Sequence, residues 1–343
     1  MIEATVGFII FVIGIALVFD FTNGFHDSAN SISTVVSTKV LSPRNAVMFA
    51  AFFNFIAAFG LGVLVANTIS KIIQLEIVDP AVVPYIILCA LIGAISWNMI
   101  TWRVGLPTSS SHALIGGMTG AGISAAGFAA IKWMIVGQVA AFMIISPIIG
   151  LVCGFLFMVA VLWLTRRANR EIADTYFKRL QLCSAAAYSF SHGSNDAQKT
   201  MGIILPLLYS IGYYSAGIDP NNLPMPLWVI LICHAAIALG TLSGGWRIVK
   251  TMGYKITKLR PVHGFAAETA GAATILGASV VGIPVSTTHI ICSSIMGVGT
   301  TMGASTVKWG VARSIMGAWI LTIPVSAVIG FVSFVVVRVI IGY

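Results

Sequence analysis

Two short polar runs interrupt long apolar stretches of the chain: PTSSSH at residues 107–112 and PVSTTH at 284–289. In each, proline removes a backbone donor and disfavours helix at the residue before it, so a new half-helix can open just beyond. Ser109 and Ser286 fall where an N-cap hydroxyl would meet free amides. A helix N-terminus carries unpaired N–H groups and a partial positive charge, which suits an anion. With Ser110, Ser111, Thr287 and Thr288 beside them, two such tips facing each other would surround a small oxyanion with hydroxyls and amides. Taken singly, either run reads as simple capping or helix–helix glue. Two at matching positions, each followed by histidine, favour a binding site. For His112 and His289 a packed ring satisfied by a carbonyl and a substrate or proton ligand both stay open.

Acidic residues inside apolar sequence are the second signal, because an intramembrane carboxylate is costly and marks function by default. Asp20, Asp27, Asp196 and Glu268 are of this kind. Asp27 and Asp196 stand among polar neighbours, His26, Asn30, Asn195 and Lys199. Carboxylates and amide oxygens suit a hard cation or a proton, so this group is the expected coupling region, and Asp27 and Asp196 are the expected metal ligands if sodium or a metal–phosphate is carried. Glu268 lies on the way into the second tip and suits a proton-carrying role. Asp20 reads equally as structural. Lys199 could pair with Asp196, neutralise a substrate anion, or replace a bound cation.

The elements that hold these residues must cross a membrane. Of 343 residues, 58% are hydrophobic and only 8% charged, with mean hydropathy +0.98; a soluble domain is about a quarter charged. Apolar stretches at 6–21, 46–66, 84–99, 134–164, 227–240 and 315–337 approach or exceed the roughly 20 residues that span about 30 Å of hydrocarbon. The first has no basic leader, Glu3 being its one early charge, and no A-x-A site, so it is expected to be retained. The five cysteines are scattered singly and read as small core residues. The net charge of +9 reports topology in such a chain and not nucleic acid.

The two halves match. GFHDSANSIS at 24–33 aligns with GSNDAQKTMG at 193–202, and GLPTSSSH at 105–112 with GIPVSTTH at 282–289. Lys132-Trp133 and Pro147 find partners in Lys308-Trp309 and Pro324. In this register Lys199 stands opposite Asn30 and Asp20 opposite Ser189. Basic residues concentrate at 166–179 and 247–260, whereas 71–80, the first-half counterpart of the second cluster, has one lysine and two acids. Lys and Arg mark cytoplasmic loops, so corresponding loops fall on opposite sides and the halves are inverted. The expected fold is an all-α polytopic membrane protein, an inverted-topology repeat with two re-entrant helical hairpins (81–127 and 262–303) and broken transmembrane helices. The expected units are a first repeat at 1–165, a basic cytoplasmic linker at 166–180 and a second repeat at 181–343. Each first span is expected to be interrupted in its middle, with both termini outside.

At these motifs the chain resembles the Pit family of inorganic phosphate transporters, along nearly its whole length. The family's G-A-N-D-x-A-N is met at 24–30, its H-G-x-N-D-x-x-N at 192–199, and its hairpin signature G-[IL]-P-x-S-T-T-H at 282–289, with a close form at 105–112. His26 and Lys199 replace asparagines of those motifs, and Asn54 stands where sodium-coupled members commonly carry glutamate. The resemblance implies phosphate as substrate, carried by symport, and these departures resemble the bacterial branch associated with proton-driven uptake, often of a metal–phosphate complex.

The expected activity is therefore import of phosphate, coupled to H+ or Na+, by alternating access across a prokaryotic inner membrane. Phosphate is expected on Ser109, Ser110, Ser111, Ser286, Thr287, Thr288 and Lys199, and the coupling ion on Asp27, Asn30, Asn195, Asp196, His26 and Glu268. No covalent cofactor is expected; a divalent metal co-transported with phosphate, a homo-oligomer, and sulfate or another oxyanion as substrate stay open. An intramembrane Ser–His hydrolase is disfavoured, since S-x-x-H recurs by accident on helices and no nucleophile motif accompanies it. An anion channel would not need paired carboxylate-bearing repeats.

Overall fold

The computed structural model describes residues 5–60, 62–214, 218–219 and 221–342; Glu3 lies outside them. The element order of the first half recurs in the second. The first has α1 (Val6–Ser37), α2 (Pro43–Ile56), α3 (Leu64–Ser70), α4 (Val83–Val104), α5 (Ser110–Ala126) and α6 (Trp133–Thr165). The second has α7 (Arg170–Ser210), α8 (Leu227–Ser243), α9 (Trp246–Lys250), α10 (Pro261–Val280), α11 (Thr287–Thr300) and α12 (Trp309–Ile341). Among the described residues there is no strand, only one antiparallel bridge between Ile73 and Ile131. The latter part of the basic stretch 166–180 is already helical, as the start of α7.

The breaks fall elsewhere than expected. Helices α1 and α7 run unbroken through 24–33 and 193–202. Their glycines serve contact instead: a Cβ on Gly24 would lie 2.1 Å from the Ile237 carbonyl oxygen, and one on Gly193 would lie 2.6 Å from that of Asn54. The bends are in the second segments. The stretch Pro43–Phe59 meets Leu64–Ser70 at 83°, and Leu227–Ser243 meets Trp246–Lys255 at 60°. Gly60 and the pair Gly244-Gly245 sit at these turns, where backbone freedom without a Cβ is needed.

Both hairpins are built alike. Gly105 and Gly282 end α4 and open the turn after α10 at φ +73° and +72°, a left-handed conformation that favours glycine. Pro107 and Pro284 follow, and Ser109 (φ −96°, ψ 111°) and Ser286 (φ −86°, ψ 109°) cap α5 and α11. At 22 residues α4 is long and apolar enough to cross a membrane alone, as are α1, α6 and α12. After each hairpin the chain is pinned the same way. The Lys132 amide donates to Ile72 and the Lys308 amide to Ile256, both at 2.9 Å. The indoles of Trp133 and Trp309 each donate five residues back, again at 2.9 Å.

The halves pack crosswise. Helix α5 lies along α12 and α11 along α6, while α1 packs on α8 and α7 on α2 and α3. Small residues allow the close crossings, as membrane helices require. A Cβ on Gly120 would lie 1.9 Å from the Ala327 carbonyl oxygen, and its counterpart Gly297 would put one 2.0 Å from that of Leu151. Gly297→Val is therefore expected to lower the unfolding temperature and the yield of monodisperse protein in detergent, at a cost of at least about 1–3 kcal/mol. Gly317→Val, at a glycine with open space beyond it, should leave both unchanged.

Burial is inverted relative to a soluble protein. Ile144, Ile148, Leu156, Ile320, Val332 and Val339 are exposed along α6 and α12, whereas Asp20, Asp27, Asp196, Lys199 and Glu268 are buried. That is the pattern hydrocarbon imposes on a multi-pass membrane protein, with polar groups turned inward.

Candidate functional site at the hairpin tips

The tips form as the residue types dictate. Ser109 Oγ accepts from the His112 amide and Ser286 Oγ from the His289 amide, each at 3.2 Å. Ser110, Ser111, Thr287 and Thr288 occupy the first turns that follow, and none is more than 5% exposed. Ser110 Oγ is buried without a hydrogen-bond partner. The tips also meet. The rings of His112 and His289 pack edge to face with centroids 4.8 Å apart, and His289 stacks on Trp319 at 3.9 Å. The Trp319 indole donates to the Pro107 carbonyl at 2.9 Å, tying the second tip to the first. Both histidines thus have a packing role at the seam.

Against the tips lie the polar faces of α1 and α7. Thr288 Oγ1 accepts from Asn30 Nδ2 at 2.9 Å and donates to Asp27 Oδ2 at 3.4 Å. The other Asp27 oxygen is 2.7 Å from His26 Nδ1, and His26 Nε2 is 3.2 Å from Thr101 Oγ1. Thr108, on the first tip, donates to Thr101 at 2.9 Å. In the second half Thr287 Oγ1 donates to Asp196 Oδ2 at 3.4 Å. Lys199 Nζ lies 2.5 Å from Asp196 Oδ1 and donates to the Val285 carbonyl at 3.1 Å. Successive threonines of one tip therefore reach the carboxylates of both halves.

Ligand atoms of Asp27, His192 and Asp196 lie within 4.8 Å of one another. The two repeat-equivalent carboxylates singled out in the sequence converge, and an imidazole joins them. Two carboxylates and an imidazole are a donor set suited to a divalent cation. His192 belongs to the second motif but drew no attention; its spacing of four residues from Asp196 on a helix was the available signal. His192 Nε2 is 3.4 Å from Asp196 Oδ2, and its other nitrogen is 3.4 Å from Asn54 Oδ1. Asn54 in turn donates to Thr241 at 2.9 Å.

Two expected members engage other groups. Asn195 Nδ2 donates to Ser279 at 2.8 Å. Glu268 accepts from Gln181 at 3.0 Å and from Ser184 at 2.5 Å, and Gln181 Oε1 accepts from Thr38 at 3.0 Å. This second network joins α1, α7 and α10. Gln181, Ser184, Thr101 and Tyr188, whose hydroxyl donates to the Thr287 carbonyl at 3.2 Å, have no motif around them that would single them out, whereas Thr108 stands inside the first polar run. Asp20 is buried on α1, two turns before Asp27.

An all-α, multi-pass fold that closes two opposed hairpins on a buried seam of hydroxyls and carboxylates defines a membrane transport protein. The chain belongs to the phosphate transporter family, whose sequence profile matches residues 23–330. A probable low-affinity inorganic phosphate transporter of Rhizobium meliloti is 51% identical over 95% of this chain and 96% of its own length. One of the same description from Bacillus subtilis is 44% identical over the same shares. The solved structure of a sodium-dependent phosphate transporter superposes with a TM-score of 0.87 at 26% identity, covering 97% of this chain and all of that one. These relatives are transporters, and the hydrolase reading falls with them.

Proposed function

We propose that this protein imports inorganic phosphate across a prokaryotic inner membrane by cation-coupled symport, with H+ as the coupling ion. The observation that carries the reading is the meeting of the tips, which sets two capped helix N-termini and their hydroxyls around one buried seam. Phosphate is held there by Ser109, Ser110, Ser111, Ser286, Thr287 and Thr288, with Lys199 contributing charge. Asp27, Asn30, Asn195, Asp196 and His26 form the coupling region, and Glu268 relays a proton through its own network. Because every tip hydroxyl is buried, substrate enters only if the hairpins move. That supports alternating access by two inverted repeats, 1–165 and 181–343, joined by a basic linker on the cytoplasmic side, with both termini outside.

Proton coupling is favoured by the partners of the carboxylates: His26 occupies one oxygen of Asp27 and Lys199 one of Asp196. Sodium coupling is the second reading, supported by the name of the solved structural relative and by Asn30 Oδ1, a buried acceptor without a partner beside the Thr288 hydroxyl that reaches Asp27. The Asp27–His192–Asp196 group supports a divalent metal travelling with phosphate, and no covalent cofactor is required.

Uptake of labelled phosphate into proteoliposomes tests this. An imposed pH gradient should drive accumulation without sodium, and magnesium should enhance it. Accumulation driven by a sodium gradient alone would replace the coupling ion, and mere equilibration would overturn symport. Competition by arsenate and sulfate in the same assay orders the oxyanions.

A further inference from the structure

We infer that the ammonium of Lys199 is a tethered stand-in for an exchangeable monovalent cation in the second half, so that only the Asp27 side can take up a free one. The inference rests on the cation-coupled reading above and on an asymmetry between matched positions.

Asp27 and Asn30 of the first half form with Thr288 of the second tip an oxygen-rich group to which, among the described residues, no Lys or Arg side chain is hydrogen-bonded; the His26 ring lies against Asp27. Asn30 Oδ1 is buried there with no hydrogen-bond partner, an acceptor whose burial is costly unless a donor or cation meets it. In the second half the counterpart of Asn30 is Lys199, 1% exposed. Its Nζ touches what a small cation would take: one oxygen of Asp196 at 2.5 Å and the Val285 carbonyl at 3.1 Å. Thr287 Oγ1, 3.4 Å from the other Asp196 oxygen, is in the place that Thr288 holds toward Asp27. Carboxylate, tip carbonyl and tip hydroxyl are oxygen ligands of the kind that bind hard monovalent ions where transporter helices are interrupted. The lysine supplies one positive charge on a four-carbon stem that cannot leave.

Replacing the lysine by its counterpart should therefore reopen the position. Lys199→Asn frees Asp196 Oδ1 and the Val285 carbonyl, leaves the Thr287 hydroxyl beside them on the other carboxylate oxygen, and adds an amide oxygen. The measurement is thermal unfolding of the purified full chain in detergent, in sodium chloride against choline chloride of equal strength. Binding to the native state alone raises the unfolding temperature. The parent and Lys199→Arg, which keeps the charge, should share one response to sodium. Lys199→Asn should gain an additional, saturable rise of about 2–4 °C, which the double variant Asp196→Asn/Lys199→Asn should lose.

A Lys199→Asn protein that is folded and responds to sodium no more than the parent overturns the inference. So does a gain retained in the double variant, or a Lys199→Arg protein with the same gain. A Lys199→Asn chain that aggregates in sodium and choline alike also overturns it, because a sodium ion should replace the lost charge. None of these readouts depends on which gradient drives uptake, so the coupling ion of the parent can be wrong while the role of Lys199 stands, and the reverse.

Discussion

Phosphate uptake should fall to the level of empty liposomes when Asp196 is replaced by asparagine. The carboxylate accepts from Lys199 and Thr287 and faces His192, all of them buried. Asparagine keeps the shape and removes the charge, leaving an ammonium in the interior with neutral oxygens, the Val285 carbonyl among them, in place of its counter-ion. Removing one member of a buried ion pair typically costs about 3–5 kcal/mol, because the other charge stays desolvated. The loss should therefore be visible both as a lower unfolding temperature and as absent transport. Taking both charges away is far less damaging than taking one. The double variant Asp196→Asn/Lys199→Asn should thus recover much of the stability while uptake stays at background. Normal uptake by the single variant would remove Asp196 from the machinery, and a double variant less stable than the single would contradict the pairing.

Thr288→Val should raise the phosphate concentration for half-maximal uptake by ten-fold or more. Valine matches threonine in volume but deletes the hydroxyl that accepts from Asn30, donates to Asp27 and sits in the first turn of α11. Hydrogen bonds to charged groups contribute about 1.5–3 kcal/mol, and each 1.4 kcal/mol is a factor of ten in affinity. The coupling ion loses a neighbour at the same time, so the dependence on driving gradient should weaken with the affinity. Thr300→Val, at the far end of the same helix where the hydroxyl donates only to the Gly297 carbonyl, should leave transport parameters within two-fold of the parent. An unchanged phosphate dependence in Thr288→Val would exclude this hydroxyl from the site.

The tips were legible because proline, left-handed glycine and an N-capping serine act locally. Gly105 and Gly282 adopt nearly the same φ, and both serines cap the helices that their spacing indicated. The duplication also placed Asp27 opposite Asp196, and the structure brings both to one seam. What stayed hidden depends on contacts between distant segments. Interruptions were expected in the middle of the first spans, yet α1 and α7 run through there, and Gly24 and Gly193 each make room for another helix's backbone; a sequence shows the missing Cβ without showing what fills its place. The bends occur instead at Gly60 and Gly244-Gly245, which no paired motif marks. Gln181 and Ser184 gain importance only because α7 lies beside α10, which directs them at Glu268. Their types, a glutamine and a serine on a helix, carry no signal alone.

The crosswise packing has a consequence for biosynthesis. Residues 117 and 330 end in backbone contact: a Cβ on Gly330 would lie 2.6 Å from the Gly117 carbonyl oxygen. The ribosome makes α5 first and must translate six further helices before α12 exists. At about 5–20 residues per second that interval is on the order of tens of seconds. Throughout it, the nascent N-terminal segment lacks the mate that seals its glycine-lined flank. Insertion chaperones and membrane proteases thus have a defined window on this polypeptide, closed only once α12 has left the tunnel.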